Sequence, residues 1–214
     1  MSRTPRNSRT DRLRITWIPI LCFHNDTGYI GMTLCPGKYQ PQSMSGGWDR
    51  DLDLDIKELK EAIKLDIDYV AVSFVKDAKD LRSIKKIIGK KSIGVIAKIE
   101  RSEALDNIDE IAKASDGLLV ARGDLGVEIG IEQLPAVQDK LIRKAISYDK
   151  IIIVATQMME SMINSRVPTR AEVFDVANAV TSGVDAIMLS AETAIGRYPI
   201  DVIQEASRIC EIAE

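Results

Sequence analysis

Five short apolar runs, beginning near residues 69, 93, 117, 151 and 186, alternate with segments whose apolar residues recur at helical spacing. Runs of that length, bounded by Gly, Asp and Ser, read as strands buried on both faces, a situation that a parallel sheet covered by helices provides. The helical segments begin with Ile56, Leu59, Ala62 and Ile63 ahead of the first run, Tyr69 to Val75. Leu81 to Ile88 precedes the run Ile93 to Ile99, and Ala104 to Ala114 precedes Gly117 to Arg122. A helix over Leu134 to Ser147 leads to Ile151 to Ala155, and another, starting near Pro168, leads to Ala186 to Leu189. A final helix follows Gly196 and Pro199. The pattern predicts an α/β fold, either an open doubly wound sheet or part of an eight-stranded barrel. Neither GxGxxG after a strand nor GxxxxGK[ST] occurs, so the glycine fingerprints for nucleotide phosphates are absent and the barrel is favoured.

Both folds bring ligands to the carboxyl ends of the strands. Ser73, Lys98, Glu100, Arg122, Gly123, Asp124, Thr156, Gln157, Ser190 and Glu192 stand at those ends and should share one face. Glu100 and Asp124 leave successive strands, where two carboxylates suit one hard divalent cation, Mg²⁺ above all. Lys98 lies two residues before Glu100, so strand alternation puts both on one side, where an ammonium can stabilise an oxyanion or enolate. Gly123 admits close approach of backbone N–H groups to an anion, and the Thr156 hydroxyl can orient water or relay a proton. Each has a plain alternative: Lys98 and Glu100 as a rim ion pair, Asp124 as a turn former, Thr156 as a helix N-cap, Arg122 as an ion-pair partner. Met158, Met159 and Met162 read as core filling.

Residues 1–55 stand apart. They hold both tryptophans, the single histidine His24 and no sustained period of 2 or 3.6, and Gln40 to Asp55 is a polar Gly/Ser/Asp stretch. The division is therefore an irregular segment of unassigned role over 1–55 and a barrel-like unit over 56–214. Arg3, Arg6, Arg9, Arg12 and Arg14 read as a solvated terminus. The apolar run Ile15 to Phe23 behind them has the order of a signal peptide, but it contains Pro19 and lacks a small-residue cleavage site.

A net charge of −3 supplies no basic field for nucleic acid, so a bound anion must be held by local groups. No run approaches the roughly 18 apolar residues of a membrane span. Cys22, Cys35 and Cys210 lack metal-ligand spacing and read as reduced thiols, and the chain is expected in the cytoplasm.

Ile96-Ala97-Lys98-Ile99-Glu100, Val120-Ala121-Arg122-Gly123-Asp124-Leu125-Gly126-Val127-Glu128, Ala155-Thr156-Gln157-Met158-Met159-Glu160-Ser161-Met162, Pro168-Thr169-Arg170-Ala171-Glu172 and Leu189-Ser190-Ala191-Glu192-Thr193 together resemble, in order and spacing, the second half of the pyruvate kinase barrel. The resemblance implies the last five units of a (β/α)₈ TIM barrel and phosphoryl transfer from phosphoenolpyruvate to ADP, giving pyruvate and ATP, with Mg²⁺ or Mn²⁺ and K⁺. It implies that Lys98 stabilises the enolate and the transferring phosphoryl group, and that Glu100 and Asp124 hold the divalent metal. Gly123 and Asp124 match the backbone around the substrate carboxylate, and Thr156 matches the threonine where the enolate is protonated. Self-association through the helix at Pro168 to Val180 is also implied. The family's Arg-x-Asn-x-Ser-His and Asp-x-x-Gly-Pro-Lys segments, which hold K⁺, nucleotide and phosphate, do not occur here, nor do its lid and carboxy-terminal domains. The alternative expectation is thus a truncated, catalytically incompetent pyruvate kinase fragment or interaction module. A metal-dependent aldolase or lyase would use Glu100 and Asp124 but leaves the Thr156 and Pro168 motifs unexplained.

Overall fold

A computed structural model of the chain describes residues 56–57, 59–61, 63–64, 67–89 and 91–214, together with backbone pairing for five short segments nearer the amino terminus. Two of these are strands β1 (Thr16–Cys22) and β2 (Gly28–Met32). The five apolar runs form β3 (Tyr69–Val72), β4 (Gly94–Ile99), β5 (Gly117–Ala121), β6 (Ile151–Ala155) and β7 (Ala186–Met188). Strands β3 to β7 are parallel neighbours in sequence order. The hairpin β1–β2 pairs antiparallel with β7 and parallel with β3, closing the sheet into a barrel. The two edges that five parallel strands leave open are thereby paired, which removes the unpaired N–H and C=O rows that invite aggregation. The remaining three segments, Arg6–Asn7, Tyr39–Gln40 and Trp48–Asp49, form a small separate sheet. His24 and the polar stretch from Gln40 are largely outside the described residues, as are the side chains of the early arginines and of Cys22 and Cys35.

Residues 56–57 and 59–61 are helical, and the helices bounded within the described residues are α1 (Ala78–Ile88), α2 (Ser102–Asp106), α3 (Ile108–Ala114), α4 (Arg122–Ile129), α5 (Leu134–Ser147), α6 (Arg170–Thr181), α7 (Ala191–Ala194) and α8 (Pro199–Ala213). Strand alternation divides the core in two. Val95, Ala97, Ile99, Leu118, Val120, Ile152 and Val154 face outward and pack with Leu81, Ile111, Leu141 and Ile142 of the helices. Ala71, Ile96, Leu119, Ala121, Ile153, Ala155, Ala186 and Met188 face inward and fill the barrel. Each fully buried Leu or Ile contributes roughly 1.5–3 kcal/mol, so the doubly buried strands hold the unit together. Met158, Met159 and Met162 are buried with the outer layer.

At the amino ends of the strands one device recurs. Asp116 precedes β5 and accepts the Val95 N–H at 2.7 Å, and Asp185 precedes β7 and accepts the Ile152 N–H at 2.8 Å. Each aspartate ties the start of its strand to the strand before it.

Four local expectations are corrected. The run from Tyr69 ends as a strand at Val72, because Phe74 takes a left-handed φ of 57°. The segment Ala104 to Ala114 is two helices, divided at Asn107 with φ −105° and ψ 15°. Arg122-Gly123-Asp124-Leu125-Gly126, read as a break after β5, is helical and opens α4, its carboxylate complementing the positive end of the helix. Helix α6 starts at Arg170, two residues beyond Pro168, because Thr169 caps it: the hydroxyl accepts the Glu172 N–H at 3.2 Å while the Glu172 carboxylate accepts the Thr169 N–H at 2.8 Å.

Candidate active site

Register carries polar groups from adjacent strands to one place. Val72 lies beside Ala97, so the next residues, Ser73 and Lys98, emerge together, and the Lys98 ammonium donates to Ser73 Oγ at 2.9 Å. The Lys98 Nζ also lies 2.6 Å from Glu100 Oε1, with side chains only 12% and 1% exposed. This is a buried ion pair, so the rim reading of Lys98 and Glu100 does not hold. The second Glu100 oxygen, Oε2, accepts the Phe74 N–H at 2.6 Å. Charge burial of this kind costs several kcal/mol unless partners offset it, and each Glu100 oxygen has one.

Two strands on, Ala121 pairs with Ala155, so Arg122 and Thr156 leave the sheet side by side. Thr156 and Gln157 both adopt left-handed φ values, 68° and 54°. The Arg122 guanidinium spans this turn. Its Nε and Nη2 donate to Thr156 O at 3.0 and 2.8 Å, Nη2 donates to Gln157 O at 2.8 Å, and Nη1 meets both Asp175 oxygens at 2.8 and 2.7 Å. The ion-pair reading of Arg122 is therefore the structural one, with α6 as partner. The Thr156 hydroxyl accepts the Gly123 N–H at 2.8 Å and donates to Ala155 O at 2.6 Å, so Thr156 starts no helix of its own but satisfies a first-turn N–H of α4.

Gly123, Asp124, Thr156, Gln157, Glu160, Ser190, Ala191 and Glu192 line a cleft of about 230 Å³ at this end of the barrel. Its far side is held by Glu192, 2% exposed, which accepts N–H groups from Ser190 at 2.7 Å and Met159 at 3.4 Å. Behind it, Glu172 binds Ser161 through both N–H (2.7 Å) and hydroxyl (2.5 Å). Burial pushes the Glu172 carboxyl up, but hydrogen bonds from Ser161 and Thr169 outweigh it and hold it below the ordinary carboxylate range.

Of the residues expected to converge, Gly123, Asp124, Thr156, Gln157, Ser190 and Glu192 line this cleft, and Ser73, Lys98 and Glu100 form a linked group at the exits of β3 and β4. Arg122 stands behind the Thr156 turn. Two participants carry no sequence signal: Phe74 acts through its backbone, and Asp175 lies 53 residues from Arg122. Asp124 makes no hydrogen bond or ion pair through its side chain with the described residues, which leaves a hard carboxylate open to the cleft. Among the described residues no three His, Cys, Asp or Glu side chains gather as a metal cage. The donor set fits a divalent ion held by one or two carboxylates and completed by water and substrate oxygens, which is the usual manner for Mg²⁺. No helix among the described residues is long and apolar enough to cross a membrane.

Residues 51–203 match the family model described as pyruvate kinase, barrel domain. The chain belongs to the pyruvate kinase family. It is 48% identical over 164 residues to a pyruvate kinase of Methanocaldococcus jannaschii, covering 76% of this chain and 37% of that protein. It is 52% identical over 165 residues to one from Buchnera aphidicola subsp. Baizongia pistaciae, covering 75% and 34%. Among solved structures, a pyruvate kinase from Cryptosporidium parvum superposes with a TM-score of 0.73 at 43% identity, covering 75% of this chain and 34% of that one. The chain thus spans about a third of the length of the pyruvate kinases it matches, and that third is the part of the barrel carrying β3 to β7.

Proposed function

We propose that this chain carries the metal-holding and charge-stabilising half of a pyruvate kinase site, for phosphoryl transfer from phosphoenolpyruvate to ADP to give pyruvate and ATP. The observation that carries the reading is the buried Lys98–Glu100 pair at the exit of β4, with Asp124 after the end of the adjacent strand β5. Glu100 and Asp124 would hold Mg²⁺ or Mn²⁺, which when bound neutralises charge on the enolate and phosphoryl oxygens. Lys98, with one ammonium hydrogen committed to Ser73 and one to Glu100, directs its third toward a substrate oxygen and stabilises the charge that develops there. The Asp124 N–H, at the positive end of α4, suits a substrate carboxylate, and Gly123 beside it, lacking a Cβ, leaves room for close approach. Thr156 delivers a proton to the enolate once its hydroxyl turns from Ala155 O into the cleft. Transfer of this type is mainly positioning and charge neutralisation, which is what these groups supply. K⁺, a cytoplasmic location and self-association through α6 belong to the same reading.

Residues 1–55 contain neither of the family segments that hold K⁺, nucleotide and phosphate, which favours a second reading: binding of metal and substrate without turnover. An assay coupled to lactate dehydrogenase, with phosphoenolpyruvate, ADP, Mg²⁺ and K⁺, separates the two. Under the first reading turnover is measurable and Lys98→Ala lowers it by about 10²–10³-fold. Under the second, turnover is absent but Mn²⁺ binds and oxalate, an enolate mimic, tightens its binding. Neither turnover nor Mn²⁺ binding would sink both.

A further inference from the structure

The dipeptide after β3 touches both members of the buried ion pair. Ser73, 3% exposed, presents Oγ to the Lys98 ammonium at 2.9 Å, and Phe74 presents its N–H to Glu100 Oε2 at 2.6 Å. The second contact exists because Phe74 holds φ 57°, a left-handed conformation that non-glycine residues adopt rarely and bulky ones more rarely still. An extended residue there would continue β3 and point its N–H along the ladder toward β4. The left-handed turn takes the amide out of the ladder and aims it at the carboxylate.

We propose that Ser73 and the Phe74 amide are the positioning groups of this site, a two-residue clamp that sets the orientation of Lys98 and Glu100 at the exits of β3 and β4. The proposal rests on the assignment of those two residues made above. Lys98 carries a flexible four-carbon stem and a rotating ammonium, so one salt bridge would leave its remaining hydrogens undirected. With Glu100 Oε1 at 2.6 Å and Ser73 Oγ at 2.9 Å, two of three hydrogens are fixed and the direction of the third follows. Glu100 is treated likewise: Oε1 is engaged by Lys98 and Oε2 by Phe74, which fixes the plane of the carboxylate while each oxygen keeps a lone pair for a cation. Both contacts are made by the same short turn, so neither member of the pair can swing without the other losing a partner.

The test uses the whole 214-residue chain, ¹⁵N-labelled, and reads two exchange rates by NMR at low temperature: the Lys98 ammonium hydrogens and the Phe74 amide. Ser73→Ala is expected to speed Lys98 ammonium exchange by about tenfold, the size of effect a lost hydrogen bond to a charged group produces. Phe74 remains protected, reporting an intact fold, and Ser73→Thr, which restores a hydroxyl, returns the ammonium rate to within about twofold of wild type. An unchanged ammonium rate in Ser73→Ala overturns the Ser73 half, and a Phe74 amide exchanging as fast as an unstructured chain overturns the other. Neither readout needs metal or substrate. A parallel Mn²⁺ titration followed by electron paramagnetic resonance therefore separates the two ideas. Faster exchange in Ser73→Ala without Mn²⁺ binding to wild type keeps the clamp and removes the metal assignment; Mn²⁺ binding with unchanged exchange does the reverse.

Discussion

Replacing Arg122 by Met removes a side chain of similar length that satisfies all five of its N–H donors inside the protein. Three things are lost together. Asp175 loses a bidentate cation at 2.8 and 2.7 Å, and the carbonyls of Thr156 and Gln157 lose their donors. Deleting one member of a fully buried pair costs roughly 3–5 kcal/mol. The Asp175 side chain is 32% exposed, so solvent screens the orphaned carboxylate and about 1–2 kcal/mol is the better figure for that part. The two carbonyls add about 1 kcal/mol each. The expected loss is therefore about 3–4 kcal/mol, which for a chain of this size lowers Tm by roughly 6–15 °C. Thermal and urea unfolding, read by circular dichroism, measure it. Asp175→Asn removes the ion pair but leaves the carbonyl clamp, so it should cost about 1–2 kcal/mol, and the double variant should fall short of additivity by about 1 kcal/mol. A Tm change below about 2 °C for Arg122→Met, or a loss no greater than that of Asp175→Asn, would refute the reasoning, since the bonds to the Thr156 turn would then contribute nothing.

Glu172 gives a pH dependence with a defined sign. Its folded-state value lies below the ordinary carboxylate value near 4.3, so its contribution is fully present above that pH and disappears as pH falls through the lowered folded value; Glu172→Gln should be less stable than wild type at pH 7, with the gap closing below about pH 4. Burial pushes the Cys210 thiol up to about 11, with Glu211 and Glu214 adding to the effect. At pH 8 roughly one thiol in a thousand is ionised, so mass mapping should find Cys210 unmodified by a thiol reagent in the folded chain long after the denatured chain has reacted; labelling at equal rates would contradict this. Lys98→Met leaves Glu100, 1% exposed, without its cation and should destabilise by about 3–5 kcal/mol, whereas Lys98→Met combined with Glu100→Leu should recover most of that loss in chemical denaturation. A double variant less stable than either single one would mean that the pair stabilises the fold outright.

The strand starts were legible because a doubly buried strand is an uninterrupted apolar run, and Tyr69, Gly117, Ile151 and Ala186 begin β3, β5, β6 and β7 as expected. Their carboxyl ends were less so. Whether polar residues after a strand form a turn or a helix depends on contacts with the next unit: Gly123 and Gly126 suggest flexibility, yet the Gly123 N–H is held by Thr156 and Leu125 is fully buried, so α4 forms despite its glycines. The break at Asn107 leaves no trace in the spacing of apolar residues. The side of β4 on which Lys98 and Glu100 fall followed from period 2, but that the pair is largely buried did not, because Ser73 and Phe74 reach it from 25 and 26 residues away. In the first 55 residues the strands β1 and β2 pair with β7 and β3, contacts that no local period announces.

Backbone strain is distributed unevenly in this chain, and its distribution bears on the site. Among the described residues four that are not glycine hold left-handed φ: Phe74, Asp149, Thr156 and Gln157. Asp149 lies at the opposite end of the barrel, in the turn between α5 and β6, where aspartate tolerates the conformation. The other three stand at the exits of β3 and β6. Each such residue costs on the order of 1–3 kcal/mol and persists only where its surroundings over-determine it. Here the surroundings can be named: Glu100 fixes Phe74 through its N–H, and Arg122 fixes Thr156 and Gln157 through their carbonyls. In both cases a buried charge holds the strained turn: the first turn carries the partners of the Lys98–Glu100 pair, and the second brings the Thr156 hydroxyl to the Gly123 N–H. A fold selected for stability alone would put glycine at these three positions. Of the three, Phe74 makes its contact through the backbone, whereas the Thr156 side chain holds the Gly123 N–H, so side-chain identity bears on the site at Thr156.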